Sequence, residues 1–224
     1  MSATVKRIST SKLTEDLYEL LVNRPPGHEH VPGQFVTLSQ PGSDKKNYYA
    51  IASHNEEGDL LFIIKQPPGE KNGILEADEI EISEAMGNGF NLDDIENKDI
   101  LIITHGSGFS AMRPLAIELQ KNRQNFKAIS FVYGVRNLEN LPYLKWFESL
   151  VSDIDFVLAF SRPGHSSTSA LKSVTGRVQA ILEKADFKPD DTVVFLVGSK
   201  EMSENVKELL IKKGFSVEKI LSNY

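Results

Sequence analysis

The stretch "DILIITHGSGFSAMRPL", residues 99–115, decides the fold of the second half of the chain. An apolar run typical of a buried strand leads into a helical spacing that continues to residue 122. Between them stand Gly106, Ser107 and Gly108. A glycine backbone can approach a phosphate closely, and the N–H groups at the start of a helix favour an anion. The sequence predicts either a pyrophosphate-binding turn or only a tight turn, because the Gly-x-Gly-x-x-Gly fingerprint is absent.

Strands and helices alternate through the rest of this half. The runs "AISFVYG", "IDFVLAF", "DTVVFLVG" and "VEKILS" predict strands, and "LPYLKWFESL", "TGRVQAILEKA" and "SENVKELLIKKG" predict helices. This order is typical of a parallel sheet with helices on both faces. We therefore expect an α/β domain over residues 98–224.

The first half has a different rhythm. Six short apolar segments are separated by turns such as "RPPG", "VPG", "QPGSD", "NEEGD" and "QPPGE". Short strands between Gly/Pro turns indicate a small antiparallel barrel, with one helical turn near residues 72–76. We expect a six-stranded barrel domain over residues 1–97. One of its strands, "NYYAIAS", carries the adjacent tyrosines Tyr48 and Tyr49.

Composition excludes several classes of protein. None of the 224 residues is cysteine, so disulfides and cysteine-ligated iron–sulfur clusters are excluded. Residues 1–98 carry 9 basic and 17 acidic side chains, which is unpromising for nucleic acid. Residues 99–224 carry 16 basic and 14 acidic side chains, which suits an anionic small ligand or a merely solvated surface.

The sequence also gives an expectation about location. The N-terminus lacks the apolar segment of a secretory signal, and no apolar run reaches the roughly 18 residues of a membrane span. We therefore expect no membrane span and no targeting segment. The predicted location is the cytoplasm or an organelle stroma or matrix.

The order of the motifs is more specific than any one of them. The segments "PGQFVTL", "NYYAIAS", "FIIKQPPGEKNGIL", "MGNGF", "GSGFSAMRPL", "YGVRNLENLPY", "FSRPG", "GRVQ" and "VGSKEM" follow one another along nearly the whole chain. This order resembles the ferredoxin–NADP reductase superfamily, and "MGNGF", "YGVRNLENLPY" and "GSKEM" resemble its kiwifruit-type plant plastid members. The resemblance implies an FAD-binding barrel followed by a NAD(P)-binding α/β domain, with NADP weakly preferred.

The resemblance implies a set of flavin-binding positions. The superfamily's Arg-x-Tyr-Ser/Thr motif falls on Asn47-Tyr48-Tyr49-Ala50, so the arginine that faces the FAD pyrophosphate is Asn47 here. The hydroxyl residue near flavin N5 is replaced by Ala50. The implied flavin-binding residues are Tyr48, Tyr49, Ala50, Ile64, Lys65, Gly69, Asn72 and, at the end of the chain, Tyr224.

The resemblance also implies a nicotinamide nucleotide site. Gly106-Ser107-Gly108 matches the pyrophosphate turn, and Ser161-Arg162 matches the pair that often meets the 2′-phosphate of NADP. The superfamily's Cys-Gly-Pro-x-x-Met segment falls on residues 197–202, where Val197 and Ser199 replace the cysteine and the proline. The implied nucleotide-binding residues are Gly106, Ser107, Gly108, Arg136, Ser161, Arg162, Arg177, Gly198 and Met202.

Each assignment has a plainer alternative. Tyr48 and Tyr49 also fit ordinary cross-strand aromatics, and Arg162 and Arg177 also fit surface arginines. The "HEH" at residues 28–30 favours a solvated loop over a metal site, since a third ligand is not evident. His105, beside the glycine turn, either binds a phosphate or points away.

The implied function is an oxidoreductase that passes a hydride from NAD(P)H to FAD N5 and electrons to a separate acceptor. That acceptor is a protein, a quinone or a small molecule, because the chain has no second redox centre. The flavin would carry out the chemistry, and no catalytic side chain is assigned. The alternative is a degenerate member of the same fold that binds a nucleotide or a partner without redox turnover. An electron-transfer subunit of a dihydroorotate dehydrogenase, suggested by "GNGF", is disfavoured because its cysteine-ligated cluster is missing.

Overall fold

The computed structural model describes residues 2–163 and 171–223. These residues form two compact units. The first comprises residues 2–90, 110–117 and 223, and the second comprises residues 91–109, 118–163 and 171–222. The domain boundary expected between residues 97 and 98 stays a prediction.

The first unit contains a six-stranded antiparallel sheet in the order β4-β3-β6-β1-β2-β5. An isolated bridge between Ile51 and Phe62 joins the two edges of this sheet, next to β4 and within β5, and nearly closes it into a barrel. The elements are β1 Ser2–Lys12, β2 Leu17–Val22, β3 Phe35–Ser39, β4 Asn47–Ala50, β5 Leu60–Lys65, α1 Gly73–Glu76 and β6 Glu79–Ser83.

The second unit contains a six-stranded parallel sheet in the order β10-β9-β8-β7-β11-β12. Five consecutive residues of β7 are buried, as expected for a central parallel strand covered on both faces. The elements after β6 are β7 Asp99–His105, α2 Phe109–Lys121, β8 Ala128–Val135, α3 Leu144–Ser149, β9 Asp155–Phe160, β10 Lys172–Thr175, α4 Val178–Lys184, β11 Thr192–Val197, α5 Lys200–Lys212 and β12 Ile220–Leu221. All of them belong to the second unit except residues 110–117 of α2, which belong to the first.

Each unit buries its own apolar core. In the barrel, fully buried side chains from five strands, including Val5, Leu20, Val36 and Phe62, form one cluster. In the second unit, aromatic rings surround Phe147, whose centroid lies 5.0 Å from that of Phe109. The ring centroids of Phe131, Tyr133, Trp146 and Phe156 also lie within 6.0 Å of Phe147.

The architecture predicted from the sequence is confirmed, with local differences at the ends of several elements and one strand that was not predicted. The strand predicted over "NYYAIAS" ends at Ala50, after which only Ile51 is bridged. The last strand is limited to Ile220–Leu221, because residues 217–219 form a 3₁₀ turn. Strand β10 was not predicted, because its four residues "KSVT" carry a single apolar side chain and are mostly exposed. No helix among the described residues is long and apolar enough to cross a bilayer.

Candidate functional site

A cavity of about 380 Å³ in the barrel unit brings together two of the segments assigned to the flavin. Asn47 and Tyr49 line it from β4, and Lys65 lines it from the end of β5. Asn72, in the loop before α1, also lines the cavity. The Nδ2 amide of Asn72 lies 3.0 Å from the Tyr49 hydroxyl, to which it donates a hydrogen bond. The two segments are therefore joined directly by their side chains.

Asn72 is held by three hydrogen bonds. Its backbone N–H donates to Oε1 of Gln66 at 2.8 Å, and its Oδ1 accepts from the backbone N–H of Ile74 at 3.1 Å. The second bond is a helix N-cap, which satisfies a donor that α1 leaves unpaired.

Other residues assigned to the flavin lie elsewhere in the barrel unit. The side chain of Tyr48 is 71% exposed, and its ring packs edge-on against Phe35 at 5.7 Å, as the cross-strand alternative expects. Ile64 is fully buried in the barrel core. Gly69 has a φ of +85°, which suits a turn between β5 and α1. None of these residues, nor Ala50, lines the cavity.

The segment after β4 is fixed by an ion pair that the sequence did not indicate. Arg113 donates to both carboxylate oxygens of Glu57, at 2.7 and 2.8 Å, and to the carbonyl of Ala52 at 2.8 Å. The Ser110 hydroxyl donates to the carbonyl of Ala50 at 2.9 Å. Burial raises the pKa of Glu57, but hydrogen bonds from Arg113 and from the backbone N–H of His54 outweigh it and lower the pKa overall. A bidentate pair of this kind holds the backbone around Ala50 and Ala52 in place.

The "HEH" loop is only partly solvated: Glu29 is exposed, as expected, but His30 is only 5% exposed. Its Nε2 lies 2.8 Å from the Ser53 carbonyl, which can only accept, so Nε2 carries the proton. Its Nδ1 faces the Arg24 guanidinium at 3.4 Å, and the ring of His28 lies 6.0 Å away. Burial lowers the pKa of His30 to about 4. No group of three metal-ligating side chains occurs in the described part of the chain.

In the second unit, residues 106–108 form a single 3₁₀ turn that leads directly into α2. Gly106 has a φ of +52°, a conformation that favours glycine, and its carbonyl accepts a hydrogen bond from the Tyr133 hydroxyl at 2.8 Å. A Cβ on Gly108 would lie 2.5 Å from Oγ1 of Thr104 and 3.2 Å from the carbonyl of Val197. The turn is therefore fixed in shape, and its backbone N–H groups stand at the start of a 13-residue helix.

Other residues assigned to the nucleotide lie at the same edge of the parallel sheet. Parallel strands end together, and this edge follows the carboxyl ends of β7, β8, β9 and β11. Arg136 follows β8, and its carbonyl accepts from the backbone N–H of Arg162 at 2.8 Å. Ser161 and Arg162 follow β9 and are exposed. Arg177 follows β10, with its guanidinium 3.6 Å from the carboxylate of Glu201.

His105 joins the ends of two neighbouring strands. Its Nε2 accepts a hydrogen bond of 2.9 Å from the backbone N–H of Ser199, which begins α5 as its N-cap. A Cβ on Gly198 would clash with the His105 ring and with the terminal methyl of Met202. His105 therefore links the glycine turn to the loop after β11. Tyr224, assigned to the flavin, lies outside the described residues.

The sequence analysis missed further residues at the cavity in the barrel unit. Lys45, Gln66 and Lys71 line it alongside the residues that were assigned. Gln66 and Lys71 lie within the segment "FIIKQPPGEKNGIL" but were not singled out in it, and Lys45 lies in the turn before β4, outside the motifs. Their distance from Asn47 is set by how the loops fold, which no spacing rule gives.

Several known proteins are similar in sequence to this chain. No family model matches the chain. The chain is 28% identical to Fruit protein pKIWI502 of Actinidia deliciosa over 214 residues, which cover 91% of this chain and 62% of that protein. It is 25% identical to the reductase component of propane 2-monooxygenase from Rhodococcus jostii over 221 residues, which cover 93% of this chain and 59% of that protein. The chain thus spans about three fifths of the length of these relatives.

Solved structures share the whole architecture. A ferredoxin NADP⁺ reductase from Neisseria gonorrhoeae, solved with bound FAD and NADP, aligns with a TM-score of 0.82 at 18% identity. The alignment covers 99% of this chain and 97% of that one. The chain therefore has the two-domain fold of ferredoxin reductase-like oxidoreductases, and the resemblance drawn from the order of its motifs is confirmed. The similarity to the kiwifruit protein agrees with the narrower resemblance drawn from the sequence.

Proposed function

We propose that this chain is an FAD-dependent NAD(P)H oxidoreductase that passes electrons to a separate acceptor. The observation that carries the proposal is the cavity in the barrel unit, where the hydrogen bond between Asn72 and Tyr49 joins two segments assigned to the flavin. A relative is named as a reductase component, and a structural neighbour holds FAD and NADP.

The residues around this cavity fit the phosphate-bearing part of FAD. Amide and phenol groups of Asn47, Asn72 and Tyr49 offer hydrogen bonds, and Tyr49 adds aromatic area beside them. Lys65 adds a positive charge. Bound FAD would supply the two-electron chemistry, since the chain contains no cysteine that could do so as a thiol or disulfide. The role of the barrel residues is to bind and orient it.

The second unit would hold the nicotinamide nucleotide at the carboxyl edge of its sheet. Gly106, Ser107 and Gly108 would accept the pyrophosphate on backbone N–H groups. Arg162 would meet a 2′-phosphate, and this is the basis for preferring NADP over NAD. Arg136, Arg177, Gly198 and Met202 would form the remaining wall of the same site.

The acceptor and the place of action are part of the proposal. Residues 1–98 are strongly acidic, which disfavours docking of an acidic ferredoxin on the barrel. The proposed acceptor is a quinone, a small dye or another protein. The cytoplasm or an organelle stroma or matrix stays the predicted location.

Two assays on the purified full chain test the proposal. Equilibrium dialysis measures whether FAD binds, and reduction of ferricyanide measures whether NADPH or NADH drives turnover. We expect saturable FAD binding and dye reduction that depends on FAD. Binding of FAD without turnover with either nucleotide would favour the degenerate, redox-inactive alternative. Failure to bind FAD would refute the proposal.

A further inference from the structure

Three lysines line the cavity in the barrel unit. Lys45 lies in the loop before β4, Lys65 ends β5, and Lys71 directly precedes Asn72. Glu70 also lines the cavity and offsets one of these charges. Three positive side chains and one negative side chain leave the cavity electropositive.

This concentration of charge runs against the composition of the unit around it. Residues 1–98 contain only 9 basic side chains against 17 acidic ones, yet three of the nine line this single cavity. The other described lining groups are mainly amides and hydroxyls, including Gln40, Ser43 and Gln66. A cavity with this charge and these donors is suited to a phosphate-bearing ligand rather than to an apolar one.

The lysines could also replace the phosphate contact that an arginine at position 47 would make. Asn47 is uncharged, so the motif strand itself brings no cation to the cavity. Each lysine carries its ammonium on a long flexible stem, which lets the charge reach a phosphate from the rim without a fixed fork geometry. Several exposed lysines around one cavity can therefore do what a single planar guanidinium does at one position.

We propose that Lys45 and Lys71, together with Lys65, bind the diphosphate of the flavin cofactor in place of a strand arginine at position 47. This inference rests on the proposed function, because it assumes that FAD occupies the cavity. It assigns the affinity for the diphosphate to three lysines rather than to one arginine in the strand motif, and it makes that affinity sensitive to salt.

The test compares the binding of two ligands by matched variants of the full chain. FAD carries a diphosphate and riboflavin carries none, and the binding of each is followed by quenching of flavin fluorescence. The double variant Lys45→Gln/Lys71→Gln removes two charges at the cavity. The control Lys6→Gln/Lys46→Gln removes two charges from exposed lysines that do not line it.

We expect the cavity variant to bind FAD about tenfold more weakly at low ionic strength, with a smaller loss at high ionic strength. Riboflavin binding should stay within about twofold of the wild type, since a neutral ligand gains nothing from these charges. Adding Asn47→Arg to the cavity variant should recover most of the lost FAD affinity.

Three results would overturn the inference. An equal loss of FAD affinity in the cavity and control variants would assign the effect to overall charge. An equal loss for FAD and riboflavin would exclude the diphosphate as the group recognised. A wild-type chain that binds no FAD would overturn the proposed function as well, whereas the first two results leave that function standing.

Discussion

Acid should destabilise this protein through His30. The imidazole is buried and neutral, its Nε2–H is bonded to Ser53, and its Nδ1 faces the Arg24 guanidinium. A second proton would place an N–H group against the positive guanidinium of Arg24. His28 and His54 also disfavour a positive charge on His30. Burial first, and then these neighbours, lower the pKa of His30 from 6.5 to about 4.

The sign and size of the effect follow from this difference in pKa. Because the unfolded chain binds the proton more tightly, stability is lost as the pH falls below about 6.5 and levels off near 4. Between pH 7 and pH 4.5, His30 alone should lower the free energy of unfolding by about 2 kcal/mol. The carboxyl of Glu57, whose pKa is lowered overall by Arg113, adds a loss of the same direction near the acid end of this range.

Urea unfolding of the full chain at both pH values measures this loss. The matched variant His30→Gln keeps an amide donor for Ser53 but does not titrate, so it retains the contribution of Glu57 and loses that of His30. We expect the loss between pH 7 and pH 4.5 to be about 2 kcal/mol smaller in the variant than in the wild type. Equal losses in the two proteins would refute the assignment to His30.

Three further predictions concern the second unit. Gly108→Ala places a methyl group against Thr104, so we expect a loss of about 1–3 kcal/mol in urea unfolding; an unchanged midpoint would mean that the turn is not closely packed. His105→Leu removes the acceptor for the Ser199 N–H and should raise the KM for NADPH with little change in kcat, whereas His105→Gln should preserve the KM; identical kinetics in both variants would exclude a positioning role. Arg162→Ala should raise the KM for NADPH roughly tenfold and that for NADH much less, and equal increases would reject its assignment to the 2′-phosphate.

Much of the fold could be predicted because the local signals agree with one another. The alternation of apolar runs with helical spacing after residue 98 allows few arrangements other than a parallel sheet. Strand β10 escaped because an exposed four-residue strand at a sheet edge has almost no hydrophobic pattern. The position of β10 is set by its pairing with β9, which cannot be read from the residues of β10 alone.

Only those residues of the candidate site that lie in recognisable motifs could be predicted from the sequence. Tyr49, Lys65 and Asn72 lie in such motifs, and the structure brings them to one cavity. The burial of His30 was missed because a Pro/Gly-rich loop is typical of solvent-exposed chain. Arg24 lies 3.4 Å from Nδ1 of His30 and ties the loop to residues 54–57 through long-range hydrogen bonds.

The role of His105 could not be predicted for a similar reason. Its partner Ser199 is 94 positions away in sequence, and the two meet only because β7 and β11 are neighbours in the sheet. The sequence left open whether the imidazole binds a phosphate or points away. In the structure its Nε2 accepts a backbone N–H instead.

The central claim, that this chain is a flavin-dependent reductase, is tested most directly by visible absorption. The full chain is saturated with FAD, passed over a desalting column, and its spectrum is recorded before and after anaerobic addition of NADPH. We predict a retained flavin spectrum that bleaches on addition of the nucleotide. A colourless protein after desalting, or a flavin band that neither NADPH nor NADH bleaches, would contradict the account.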